Sequence, residues 1–477
     1  MRFLVATMVL AAVFLGVLVS MAWSCGAYGT GNTDLLARRV VAAEGVDVDA
    51  AIAELRAAGP AGLEALLQLR DKIAAEEQAS EQQATSPLKP PKASERLARV
   101  DALVDKVAAQ RGASVSRLYW HTEFDRAVEA ARAEKKPILS LRMLGDLREE
   151  CSCANSRFFR TSLYANAEVS KYLRENFVLH WRSVRPVPKV TVDFGDGRKL
   201  VRTVTGNSIH YVLDSEGRTI DGLPGLYGPQ AFRRWLADTK TFAETLAPLS
   251  EKNQAYLLTQ YHRDNARRLG ILWTKDLSRV APELANTLIA QETARIAAAK
   301  EAAKNDPAAT PTARKAAERA VGKTAVEAPI VEVVVANGSA LEKSTNDELW
   351  NKIAALHAED AKLDQASVEV IRRENPPTAQ QAARVAITKT RVEDPIVRMV
   401  RQFEASIALD TVKNEYLLHR QIHEWLATSA ERPEVEALNE RVYAQLFLTP
   451  SSDPWLGLAP ADTYTALENG GAVGERR

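Results

Sequence analysis

Two cysteines stand one residue apart in the stretch Glu150-Cys151-Ser152-Cys153-Ala154-Asn155-Ser156, in a chain with only three cysteines in all. Thiols this close can exchange disulfides, clip a soft metal such as Cu(I) or Zn, or be buried as small apolar groups. Exchange needs a thiolate, which a helix N-terminus or a neighbouring cation favours. Arg148 and Arg157 act in that direction, and Glu149 and Glu150 oppose it. Residues i and i+2 of a regular helix point about 200° apart, so a bond within the pair requires Cys151 to precede the first helical turn.

Histidines are the other reactive groups. His419 and His423 stand four apart in His-Arg-Gln-Ile-His-Glu-Trp, on one face of an expected helix with Glu424 alongside. Such a pair can bind a metal, but more commonly it is solvated or caps a helix. His180 and His210 fall in expected strands beside the cysteines, where histidines mostly pack or lie at the surface. The chain has no Gly-x-Ser-x-Gly, no phosphate-binding glycine loop and no His-Glu-x-x-His. No cofactor and no resident metal are expected. The letters Asp-Phe-Gly at Asp193 to Gly195 sit in an expected hairpin and match by chance.

At 477 residues and 46% hydrophobic content the chain is long enough for two or three domains with real cores. Its 62 basic and 61 acidic residues are not segregated into blocks, which argues against a nucleic-acid partner. Arg2 is followed by an apolar run from Phe3 to Trp23 broken only by Thr7, Gly16 and Ser20. Residues 1–24 therefore read as a signal peptide or an N-terminal membrane anchor, and Cys25-Gly26 also suits a lipidated terminus. Each version exports residues 26 onward, to the periplasm or envelope, where disulfides persist.

Residues 34–111 read as helical, with a stop and restart at Gly59-Pro60 and a linker rich in Gln, Ser and Pro over 78–94. Residues 118–240 have a different texture. A helix with Phe124, Ala127, Val128 and Ala131 on one face leads through Pro137 into an apolar strand, Ile138 to Leu144. The cysteines follow, then a broken helix with Asn166 as a cap, and a second strand from Phe177 to Trp181. A hairpin about Gly195-Asp196-Gly197 comes next, then two strands joined by a turn at Asp214 to Gly217, and a helix from Pro229. Residues 241–448 read as mainly helical with a linker over 304–329 and a lone strand-like run, Ile330 to Ala336. Residues 449–477 read as an irregular arm.

Trp120, the segment Phe124 to Leu141, the cysteines, Glu168 to Trp181 and Tyr211 to Gly225 together resemble exported bacterial thioredoxin-family proteins over residues 118–240. The resemblance implies an α/β thioredoxin-like central domain embedded between mainly α-helical N- and C-terminal regions. It also implies thiol-disulfide exchange on other exported proteins, with Cys151 as exposed nucleophile, Cys153 as resolving thiol, and Asn207 and Ser208 lining the substrate groove. The family's pair is Cys-x-x-Cys, here shortened by one residue, and the place of its cis-proline falls on Ser208. A non-catalytic binding or scaffold module of the envelope is therefore the competing expectation, and soft-metal binding by the cysteines a third.

Overall fold

The computed structural model describes residues 30–43, 45, 47–83, 95–203, 206–282, 346–376, 395–429 and 432–452. The expected targeting segment, Cys25, the linker over 304–329, the strand-like run 330–336 and the arm beyond Ser452 lie outside the described residues. Among the described residues, no helix is long and apolar enough to cross a membrane.

Packing divides the chain into two units that meet in sequence between Ala108 and Ala109. The first contains four helices: α1 (Thr30–Ala42), α2 (Asp47–Ala57), α3 (Gly59–Gln83) and α4 (Glu95–Ala108). Gly59, at φ +65°, separates α2 from α3 in the left-handed conformation that glycine adopts freely. In α4, Val100, Leu103, Val104 and Val107 recur at i, i+3, i+4 and i+7 and are all buried, the apolar stripe of an amphipathic helix. Helix α3 runs through Gln83, so part of the polar stretch expected as linker is helical.

The second unit starts with α5 (Ala113–Ser116) and α6 (Phe124–Glu134), then β1 (Ile138–Leu144), α7 (Ala154–Phe158), a π-helical turn at Phe159–Leu163 and α8 (Ala167–Asn176). It continues with β2 (Val178–Arg185), β3 (Lys189–Asp193), β4 (Lys199–Thr203), β5 (Ser208–Leu213), β6 (Thr219–Pro224), α9 (Pro229–Leu246) and α10 (Glu251–Val280). The later helices are α11 (Asn346–Leu356), α12 (Gln365–Glu374), α13 (Pro395–Lys413), α14 (Arg420–Thr428) and α15 (Val435–Arg441). A π segment, Asn414–His419, joins α13 to α14, and another, Val442–Leu446, follows α15.

The result is a mixed α/β unit: a four-stranded sheet in the order β2-β1-β5-β6, flanked by helices, with β3 and β4 as a separate hairpin. Strand β1 pairs parallel with β2 and antiparallel with β5, and β5 pairs antiparallel with β6. All seven residues of β1 are buried, as a strand covered on both faces requires. One continuous apolar core runs from Ala109 to Phe447, so the helices after Lys240 pack with the sheet as one unit. Strand β6 ends the sheet, and the Arg432 guanidinium donates to the carbonyl oxygens of Thr219 and Arg218 at its start.

Candidate functional site

Strand β1 runs into a tight turn at Gly145, whose φ is +77°; a Cβ there would come within 3.0 Å of Val187 Cγ1 and 3.4 Å of Ser152 Cα. Only glycine fits this close approach, which brings the chain back beside β1. The Cys153 N–H then donates to Leu144 O at 3.3 Å, and Cys153 becomes the residue before α7. Cys151 thus lies before the first helical turn, where an intrapair bond would need it. Both are free thiols, Cys151 half-buried and Cys153 fully buried.

The surroundings of Cys153 suit a core group. Its Sγ is 3.4 Å from Ser156 Oγ, which lies 2.7 Å from Ser152 Oγ and 2.8 Å from Cys153 O. Burial first, and the adjacent Cys153 second, push the Tyr164 hydroxyl well above its ordinary range. The same two causes head the rise at Tyr443, so the thiol is hemmed in by two phenols. The arginines expected to favour a thiolate are engaged elsewhere: Arg148 Nη2 with Asp146 Oδ2 at 2.5 Å, and Arg157 Nη2 with Thr203 Oγ1 at 3.0 Å.

Asn207 and Ser208, expected to line an open groove, are 4% and 0% exposed. The C-terminal segment after α15 covers them. Tyr443 OH donates to Asn207 O at 3.1 Å, and Asn207 Nδ2 donates to Thr449 Oγ1 at 3.0 Å. Arg185 donates to the carbonyl oxygens of Thr449 and Pro450, both at 3.3 Å. Ser208 Oγ has no hydrogen-bond partner among the described residues. No cis peptide occurs among them either, so Ser208 follows a trans bond.

The strand histidines are packing groups. His180 Nδ1 lies 2.8 Å from Ser140 Oγ and 3.2 Å from Arg142 Nη1, and burial and the Arg142 charge push its pKa down to about 2. Arg142 is itself buried within β1 and reaches Glu436 on α15 at 2.8 Å. His210 Nε2 meets Tyr164 OH at 2.8 Å among Phe159 and Phe232, and burial pushes its pKa down to about 3.

His419 and His423 depart from the solvated or capping role expected of them: they are 2% and 1% exposed. The reason is the packing of the helical stretch α13 to α14 against β6. Gly225, at φ +86°, lets the chain after β6 turn beneath Asn414, whose Nδ2 donates to Leu226 O at 2.9 Å. This seats the π segment, and with it His419, beside Asp221 of β6. His419 Nε2 is 3.5 Å from Asp221 Oδ2, and His423 Nδ1 is 3.8 Å from Asp221 Oδ1. His262 of α10 joins them, its Nδ1 2.9 Å from His423 Nδ1.

Outer groups hold this cluster in place. Asp221 Oδ2 accepts from Trp235 Nε1 at 3.0 Å and Tyr261 OH at 3.1 Å, and Oδ1 accepts from Gly222 N at 2.8 Å. Glu415 Oε2 lies 3.0 Å from His419 Nδ1. Burial alone would raise the Asp221 carboxyl, but its interaction with the His423 and His419 rings outweighs it and holds it well below the usual carboxylate range. Burial opposes charge on His419, whereas Glu415 and Asp221 together raise it to about 10. Burial keeps His423 well below its ordinary value and takes His262 down to about 4.

Asp221 and His262 carry no local sequence signal. The group sits four residues apart at one point and otherwise at 221, 262 and 419, so only the folded chain assembles it. Among the described residues, Asp221, His419 and His423 are the cluster of His, Cys, Asp or Glu with ligand atoms close enough for a metal ion, and neither cysteine belongs to it. Comparison of the chain with protein-family models, with curated proteins and with solved structures finds no match.

Proposed function

We propose that the chain is an exported thioredoxin-like binding module whose thiol face is closed by its own C-terminal segment. The observation that carries the reading is the sealed groove: Tyr443 and Thr449 take up the polar groups of Asn207 that a docked peptide would need. The topology supports the fold assignment. A strand order β2-β1-β5-β6 with only β1 and β2 parallel, with cysteines directly after β1, is the arrangement thioredoxin-like domains have. The module holds other exported proteins through surfaces outside the covered groove.

A maleimide probe applied to the folded protein is expected to label Cys151 and spare Cys153. Protein with both cysteines replaced by serine is expected to fold and to keep its cellular role. Turnover of a mixed-disulfide substrate by the native protein, absent from the double-serine protein, overturns this reading.

That outcome would establish exchange, the second reading, which the partial exposure of Cys151 favours. There the Cys151 thiolate attacks a substrate disulfide and releases one substrate thiolate. Cys153 then attacks the Cys151 sulfur, which releases the second substrate thiolate and leaves the pair oxidised. Residues 442–449 must swing away for this to occur.

A further inference from the structure

We propose that Asp221, His419 and His423 bind a divalent transition ion of the zinc class, which fastens the α13–α14 helical stretch to the last strand of the sheet. One ligand atom from each residue can be chosen so that all lie within 4.8 Å of one another, and all three side chains are buried. Bonds of about 2.0–2.2 Å in tetrahedral geometry bring such atoms to roughly 3.3–3.5 Å, so small side-chain rotations complete the site. The 3.5 Å separation of His419 Nε2 and Asp221 Oδ2 already matches, and it is long for a hydrogen bond.

The second, independent observation is the state of the ring nitrogens. Both His419 and His423 are more than nine-tenths buried, and the Nε2 of each has no hydrogen-bond partner among the described residues. A buried ring nitrogen left unpaired is costly, unless something outside the chain takes it up. In both rings the other nitrogen is engaged, His419 Nδ1 by Glu415 and His423 Nδ1 by His262. His419 has the pattern of a metal-bound histidine, its outer Nδ1 fixed by the Glu415 carboxylate while Nε2 faces Asp221; in His423 it is Nδ1, which also meets His262, that lies toward Asp221 at 3.8 Å. Asp221 is likewise oriented, by Trp235, Tyr261 and the Gly222 N–H.

The donor set selects the ion. Two imidazoles and one carboxylate, with no thiolate, suit zinc and its borderline neighbours over Cu(I), and do not suit calcium or magnesium. His262 stands near enough to His423 to supply a fourth donor or a hydrogen bond. Such a closed, buried site is structural, and its binding free energy adds to folding.

The test uses the full exported chain without a histidine tag and in a double-serine background at Cys151 and Cys153, so that thiols cannot account for any metal. Elemental analysis is expected to find about one zinc per chain. Cobalt(II) added during refolding is expected to give the visible spectrum of a tetrahedral nitrogen and oxygen site. Chelation is expected to lower the thermal midpoint, and His419→Gln or His423→Gln to lower occupancy by roughly tenfold or more.

If a variant fails to fold, chelation of the parent protein still decides the matter. Protein that is metal-free, takes up neither zinc nor cobalt on refolding, and has the same midpoint with and without chelator overturns the proposal. So does metal that stays bound in both histidine variants. The sealed-groove reading is untouched by either result.

Discussion

Tyr443 donates its hydroxyl proton to the carbonyl oxygen of Asn207 across 236 residues of sequence, at 3.1 Å. This bond joins the C-terminal segment to the strand start where a thioredoxin-like protein would receive its partner. Tyr443 is 1% exposed and packs edge-on against Phe447, so the ring is a plug as well as a donor.

Tyr443→Phe keeps the ring and leaves the Asn207 carbonyl without that donor, at an expected cost of about 1–2 kcal/mol. Tyr443→Ala also empties the space and should cost about 3–5 kcal/mol. Urea midpoints at neutral pH measure both. The alanine variant should label Cys153 more than roughly tenfold faster than the parent, because each 1.4 kcal/mol lost from local opening is a factor of ten. Equal labelling rates would mean that the segment does not guard the thiol.

Arg142 is a fully buried guanidinium in the middle of β1, held by Glu436 at 2.8 Å and Ser140 at 2.5 Å. Glu436 also meets Arg182 at 3.1 Å and is 53% exposed, so solvent screens its side of the pair. Glu436→Gln strands a buried charge beside a second arginine, and should destabilise by about 1–3 kcal/mol after allowance for that screening. Replacing Arg142 and Glu436 together, by methionine and glutamine, should recover much of the loss. A double variant no more stable than Glu436→Gln alone would argue against the charge as the cause.

His357 links α11 to the 3-10 turn at Ala358–Ala361 and to α10. Its Nδ1 is 3.8 Å from Asp360 Oδ2 and its Nε2 2.6 Å from Asp276 Oδ2. Asp360 first, and Asp276 with it, raise the histidine pKa against the opposing effect of burial. A raised folded pKa makes the stabilisation fully present below the unfolded value near 6.5, and lost as pH rises through the folded value. Stability measured from pH 6 upward should therefore decline, and His357→Gln should flatten that part of the profile. An unchanged profile in the variant would remove His357 as the source.

Gly225→Ala places a Cβ 2.3 Å from Asn414 Nδ2 at a backbone φ of +86°. The combined strain and displacement should cost about 1–3 kcal/mol. The effect should extend to the histidine cluster, because Asn414 begins the turn that carries His419. A calorimetric midpoint no lower than the parent's would show that the turn can relax.

The elements were legible where one local rule decided them. Pro137 followed by seven apolar-pattern residues marked β1, the turn residues from Asp214 to Gly217 marked the β5–β6 connection, and Asn166 marks the start of α8 by accepting from Val169 N at 3.0 Å. The buried network of Ser140 and Arg142 with His180 and Glu436 was not legible, because the sequence marks the strand only as apolar and its polar partners come from other elements. The covering of Ser208 was not legible. It depends on a tyrosine more than two hundred residues away, on a helix whose pattern shows only that one face is buried. Asp221 and His262 escaped for the same reason. A spacing of four drew notice to His419 and His423, but what they face is set by tertiary packing.

The Arg432 guanidinium that takes up the carbonyl oxygens of Arg218 and Thr219 has a consequence for the behaviour of the protein in bulk. A terminal strand with bare backbone acceptors is a template on which a second molecule can add its own strand, and then a third. By occupying one such acceptor, the Thr219 carbonyl at the start of β6, with a charged side chain from a distant segment, the chain blunts the edge as a starting point for polymerisation.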